Sequence, residues 1–172
     1  LKIAPERHEY ILELGDMYKN IHDNKKSLSY YNKYQELYPK NPEAYEKIAM
    51  IYYDELDYTN AKKFMLKAQT QGTSGIEFET KLLNIVSIIN KWTAEEFMDE
   101  AYSLLDKYPR IDFGTTTIYS AIIQRYQDEG KYRASITHTK KMIADITPVL
   151  GPLLATVFSM EMIGTHIKLG EV

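Results

Sequence analysis

Apolar side chains recur every three or four positions along most of the chain, the spacing of helices that each bury one face. Tyr10, Leu14, Met17, Tyr18 and Ile21 form one such row, and Tyr45, Ile48, Ala49, Tyr52 and Leu56 form a second. Asn41-Pro42-Glu43 reads as a helix start, with an Asn cap and a Pro in the first turn. Thr93-x-x-Glu96 has the form of a capping box ahead of another helix. Further rows predict a helix pair over 76–90 and 93–108, with a short turn around Lys91-Trp92 and Pro109 as its stop. The apolar stretch from Val149 to Gly170 predicts one more helix. With 6 Pro and 8 Gly in 172 residues, the chain has few of the breaks a turn-rich sheet fold needs. The pattern predicts an all-α protein.

The rows themselves repeat. Residues 8–41 and 42–75 align without a gap at an offset of 34, with Glu9/Glu43, Tyr18/Tyr52, Asp23/Asp57, Lys33/Lys67 and Gln35/Gln69 identical. Small residues fall at matching places, Gly15 with Ala49 and Ser27 with Ala61, where two helices would cross closely and larger side chains would clash. Tyr18/Tyr52 and Tyr31/Met65 are then expected to fill the space beside the crossing. Ile122-Ile123, Tyr126, Gly130-Lys131-Tyr132 and Ala134-Ser135 follow the same order later in the chain. Between them, Asn84-Ile85 stands where the small pair is expected, so 76–110 reads as a degenerate copy.

This period and its small-residue places resemble the tetratricopeptide repeat, a helix–turn–helix unit of 34 residues. The resemblance implies a right-handed α-solenoid of antiparallel helix pairs. It divides a single domain, 1–172, into the tail of a preceding repeat (1–7), repeats at 8–41 and 42–75, the degenerate unit at 76–110, a repeat at 111–147 and an extra or capping helix at 148–172. The two ends read as those of a slice from a longer repeat array.

Composition narrows the chemistry. There are 21 basic and 24 acidic residues, net −3, and neither half carries a basic field, which disfavours a phosphate-tracking surface and hence a nucleic-acid partner. With no Cys there is no disulfide frame, thiolate nucleophile or Cys-ligated metal, and the compartment stays open between cytoplasm and export. His8, His22, His138 and His166 make no metal spacing with one another. Glu95-Glu96 and Asp99-Glu100 read as a solvated helix face, because acid–base work needs carboxyls opposed across a cleft. No phosphate loop, nucleophile elbow or nucleotide fingerprint occurs, so no cofactor and no catalytic residue is expected. The 15 Tyr need no stacking platform, since Tyr18, Tyr31, Tyr34, Tyr52 and Tyr126 fall at helix-crossing places. The segment 149–169 carries Pro152, Glu161, His166 and Lys168 and is too broken to insert in a membrane; it is expected instead to be an apolar end that supports dimerisation.

By resemblance, the first helix of each unit lines a concave groove that holds an extended peptide or a helix of a protein partner. The groove places are Leu12, Asp16 and Lys19 in the first unit, Met50, Tyr53 and Asp54 in the second, and Ser120, Gln124 and Gln127 in the fourth. Such a face suits a peptide with a basic residue and an apolar anchor. The carboxylate grip of chaperone-binding members does not carry over, because its places hold Leu12 and Asp16, then Lys47, then Glu79 and Leu83. The expected role is a non-catalytic interaction scaffold; the alternative is a peptide-sensing regulatory domain attached to a DNA-binding or enzymatic domain.

Overall fold

The computed structural model describes residues 8–152, together with 156, 157, 159, 160 and 164. The proposed preceding tail at 1–7 and nearly all of the extra helix at 148–172 lie outside the described residues, as does any self-association through that end. Every regular element among the described residues is a helix: α1 His8–Asn20, α2 Asn24–Leu37, α3 Glu43–Asp54, α4 Tyr58–Thr70, α5 Ile76–Asn90, α6 Ala94–Lys107, α7 Phe113–Asp128 and α8 Tyr132–Leu150. None is long and apolar enough to cross a membrane. The chain forms two compact units, Leu1–Ser74 and Gly75–Val172.

In the first unit α1 packs on α2, α2 on α3, and α3 on α4. The reason α1 and α2 approach so closely is Gly15: a Cβ there would sit 2.5 Å from Cδ1 of Tyr31 and closer still to Cε1. Tyr31 is fully buried, as are Ser27, Ala49, Ala61 and Met65, so the small places and their large partners occupy the crossings as the repeat implies. Tyr18 stacks on Tyr30 with centroids 5.4 Å apart, and 34 residues later Tyr52 stacks on Phe64 at 5.5 Å. The core joins Ile11, Leu12, Tyr31 and Tyr34 to Ala44, Ile48 and Ile51.

In the second unit α5 packs on α6, and α7 packs on α5, α6 and α8. One core layer holds Phe97, Ala101, Ile118, Ile122 and Tyr126; another holds Tyr119, Ile123, Met142 and Ile146. Gly114 lets α7 meet α5, since a Cβ there would run into Ile76.

One turn recurs in all four helix pairs. A residue in the left-handed region follows the first helix: His22 (φ 61°), Leu56 (φ 62°), Lys91 (φ 55°) and Gly130 (φ 72°). The next N–H then donates to the carbonyl five residues back: Asp23 to Tyr18 (2.9 Å), Asp57 to Tyr52 (2.8 Å), Trp92 to Ser87 (3.0 Å) and Lys131 to Tyr126 (2.8 Å). This satisfies carbonyls that the helix end leaves unpaired. Asp23 and Asp57 then cap the second helices, accepting from the N–H of Lys26 and Asn60 at 3.1 Å. Thr93 and Glu96 form the expected capping box, with bonds of 3.2 and 2.8 Å. Asn41 takes the Glu43 N–H at 2.9 Å, although Pro42 is the residue at the helix boundary.

The irregular pair α5–α6 exchanges large for small. Elsewhere the residue four before the turn is a Tyr (18, 52 or 126), and the buried residue five after it is small (Ser27, Ala61 or Ser135). Here Ser87 takes the Tyr place, the turn gains Trp92, and Phe97 takes the small place, fully buried. Arg125 of α7 completes the packing: its guanidinium lies 5.1 Å from the Phe97 ring centre and donates to Ser87 Oγ. The departure at 76–110 is therefore compensated within the second unit. A second departure is at Pro148, where a stop is expected after residue 147. Helix α8 runs through it to Leu150 and ends at Gly151 (φ 86°). The proline removes a donor only from the final turn, where loss of one bond is tolerated more easily than in mid-helix.

Candidate functional site

The expected groove residues of the first unit lie on α1 and α3. Leu12 does not line a surface: it is 6% exposed and belongs to the core with Tyr34 and Ile48. It lies one residue from Ile11 on the inward face of α1, and both are needed to fill the space against α2 and α3. Asp16 accepts from the Tyr31 hydroxyl at 2.5 Å and holds Lys47 of α3 with both oxygens, 2.9 Å each. Lys47 also approaches Glu43 at 3.8 Å. Burial and the Asp16 bond together push the Tyr31 phenol above the ordinary tyrosine range. Lys19 pairs with Asp54 at 3.5 Å. Two ion pairs of opposite order thus cross from α1 to α3, Asp16 to Lys47 and Lys19 to Asp54. Met50 stands one turn after Lys47 on α3, half-buried. Tyr53 is half-buried too and meets Tyr58 edge-on at 5.6 Å.

In the second unit the expected residues lie on α7. Ser120 and Gln124 are exposed one turn apart, and Gln124 donates to Asp128 at 2.8 Å. Gln127 turns the other way, donating to Ser135 Oγ of α8 at 3.3 Å, so it ties the two helices of its own pair together. Of the nine residues, the structure brings Asp16, Lys19 and Asp54 into one cross-helix charge network flanked by Met50 and Tyr53. Ser120 with Gln124 forms a separate polar strip, while Leu12 and Gln127 serve packing.

Lys47 and Tyr31 complete the first network and were not among the expected groove residues. Their signal is in the numbering: Asp16 and Lys47 are 31 apart and Lys19 and Asp54 are 35 apart, so opposite charges near one repeat length mark neighbouring first helices. Glu79, a place of the chaperone-type carboxylate grip, is nearly buried and accepts from Lys107 at 2.7 Å and the Tyr108 hydroxyl at 2.6 Å. Burial pushes its carboxyl up, but those two donors outweigh it and hold it below the usual range. It is an internal tie of the second unit.

A titratable cluster lies between α6, α7 and α8. The His138 ring stacks on Tyr126 at 5.0 Å, its Nδ1 is 3.1 Å from the Tyr102 hydroxyl, and the Lys141 ammonium sits 4.1 Å above the Tyr102 ring. Burial first and the nearby Lys141 second push the imidazole below its ordinary value. Among the described residues, no group of three or more His, Asp and Glu is placed to hold a metal ion.

Neither a protein-family model nor a curated protein sequence matches the chain. Solved structures do. YrrB, described as a TPR protein with an unusual peptide-binding site, superposes with a TM-score of 0.55 over 94% of this chain and 77% of its own, at 14% sequence identity. The fold is that of a tetratricopeptide-repeat protein. At this identity the likeness concerns the backbone, and it agrees with the helix pairs, the small crossing residues and the recurring turn described above. Tetratricopeptide-type α-solenoids are built to repeat one supersecondary unit, and here the repetition extends to the hydrogen bonds of the turns.

Proposed function

We propose that this tetratricopeptide-type protein is an interaction scaffold that binds a peptide or helical segment of a protein partner on its first helices, without chemistry or cofactor of its own. The observation that carries the reading is the α1–α3 face. Its core is built by other residues, while Met50 and Tyr53 lie half-buried beside two cross-helix ion pairs. An apolar side chain of a partner fits against Met50 and Tyr53, which supply polarisable and aromatic area at small entropic loss. The peptide-binding site named for YrrB adds support to a protein partner. On the second unit, Ser120 and Gln124 offer polar contacts on α7.

The test is a peptide-display selection against the 172-residue chain, followed by calorimetry on the selected peptide. Met50→Ala and Tyr53→Ala together are expected to weaken binding by roughly tenfold or more, the loss typical of interface anchors, at unchanged melting temperature. Undiminished affinity in that variant would move the binding surface off this face and overturn the assignment.

A further inference from the structure

Helix α1 carries an exposed apolar row that the scaffold reading does not use. Tyr10, Leu14, Met17 and Ile21 follow one another at intervals of four, three and four, and are 59%, 37%, 63% and 69% exposed. The repeat supplies the comparison. Thirty-four residues on, the first three places are Ala44, Ile48 and Ile51 of α3, which are 0%, 1% and 0% exposed and form one core with Tyr31 and Tyr34 of α2. The same face of a first helix is thus covered in one copy and open in the other. What covers it on α3 is the second helix of the preceding pair.

We propose that the α1 row is the seat of a further helix of the same polypeptide, preceding His8 and lying on α1 as α2 lies on α3. The size of the row selects a tethered occupant over a second copy. Four partly exposed side chains amount to about 300–500 Å², an ordinary single patch. Doubled across a two-fold contact, that stays near or below about 1,000 Å², short of the roughly 1,200–2,000 Å² of stable interfaces. A helix joined to α1 by a short turn needs no such area, because the connection has already brought it into place. The charges agree: the fourth place of the row, Ile21, corresponds to Glu55, which accepts from Asn24 at the start of α2 at 2.9 Å. An apolar residue there calls for an apolar contact at the same point of the new helix. This inference is independent of the groove reading, since the row lies apart from Met50 and Tyr53.

The experiment compares two proteins: the 172-residue chain, and the same chain with about 35 further residues of its natural coding sequence restored before Leu1, one repeat length. Met17→Glu is made in both, and Met17 oxidation by dilute peroxide is followed by mass spectrometry. The extended protein is expected to oxidise Met17 at least tenfold more slowly than the 172-residue chain. The substitution is expected to lower the melting temperature of the extended protein and leave that of the 172-residue chain unchanged. Equal oxidation in both proteins would overturn the proposal, as would a coding sequence that starts at Leu1 or its Met. A 172-residue chain that sediments as a dimer and becomes monomeric on Met17→Glu would overturn it in favour of a second copy.

Discussion

Replacing Gly15 with alanine sets two opposed effects against each other at one atom. A helical Gly→Ala change ordinarily stabilises by about 0.5–1 kcal/mol, because glycine loses more backbone freedom on folding. Here the new methyl would enter the ring of Tyr31. That ring cannot retreat easily: it is fully buried and its hydroxyl is held by Asp16, itself tied to Lys47. Forcing an extra methyl into such a site costs roughly 1–3 kcal/mol. The packing term wins, and Gly15→Ala should destabilise the first unit by about 1–2 kcal/mol net. The second repeat offers the control, since it carries Ala49 with Met65 at the matching places, both fully buried. Methionine bends where tyrosine does not. In a Tyr31→Met background, Gly15→Ala should therefore become favourable by about 0.5–1 kcal/mol, giving a coupling of roughly 2 kcal/mol in a double-mutant cycle. Hydrogen exchange of the α1 and α2 amides reads the opening of this unit by itself. A stabilising Gly15→Ala in the parent, or a coupling near zero, would refute the account of the crossing.

Two further outcomes follow from the second unit. Arg125→Ala removes both the cation over Phe97 and the donor to Ser87, and should destabilise this unit by about 1–3 kcal/mol; Arg125→Lys should recover only part, because an ammonium cannot lie flat on the ring, and urea unfolding followed by circular dichroism measures both. His138 gives a pH dependence of known sign. Its folded value lies below the ordinary 6.5, so the unfolded chain binds the proton more readily; the stability it supports is complete above about pH 6.5 and is lost as pH falls toward the lower folded value. Melting temperatures between pH 7.5 and 5 should fall more steeply in the parent than in His138→Gln, and parallel profiles would remove His138 as the cause.

The parts of this fold that could be read from sequence are those in which one residue does one job at a fixed spacing. Gly15 and Ala61 at close crossings, Thr93 with Glu96 at a helix start, and the 34-residue period are of that kind. The left-handed turn was harder to see, because three of its four positions are occupied by His22, Leu56 and Lys91 instead of glycine. The Asp that follows His22 and Leu56 was the available sign. The exchange of Ser87 for Tyr and Phe97 for a small residue was hidden by the extra residue in the turn, and its third member, Arg125, lies 38 positions from Ser87. In the candidate site, helical spacing alone could not separate Leu12 from its surface neighbours or show that Gln127 faces Ser135. Both depend on how far one helix rotates against the next, which packing decides.

The paired charges between α1 and α3 have a consequence for how a partner would be greeted. Asp16 is already met by Lys47, and Lys19 by Asp54. A charged residue arriving on this face does not find a vacant counterion; it must displace a resident one, which then turns to water. Association there is an exchange of ion pairs, with little net change in their number, and such a reaction is nearly blind to ionic strength. Discrimination between ligands would come from shape and apolar fit, and the long-range field of this face would be muted at any salt concentration.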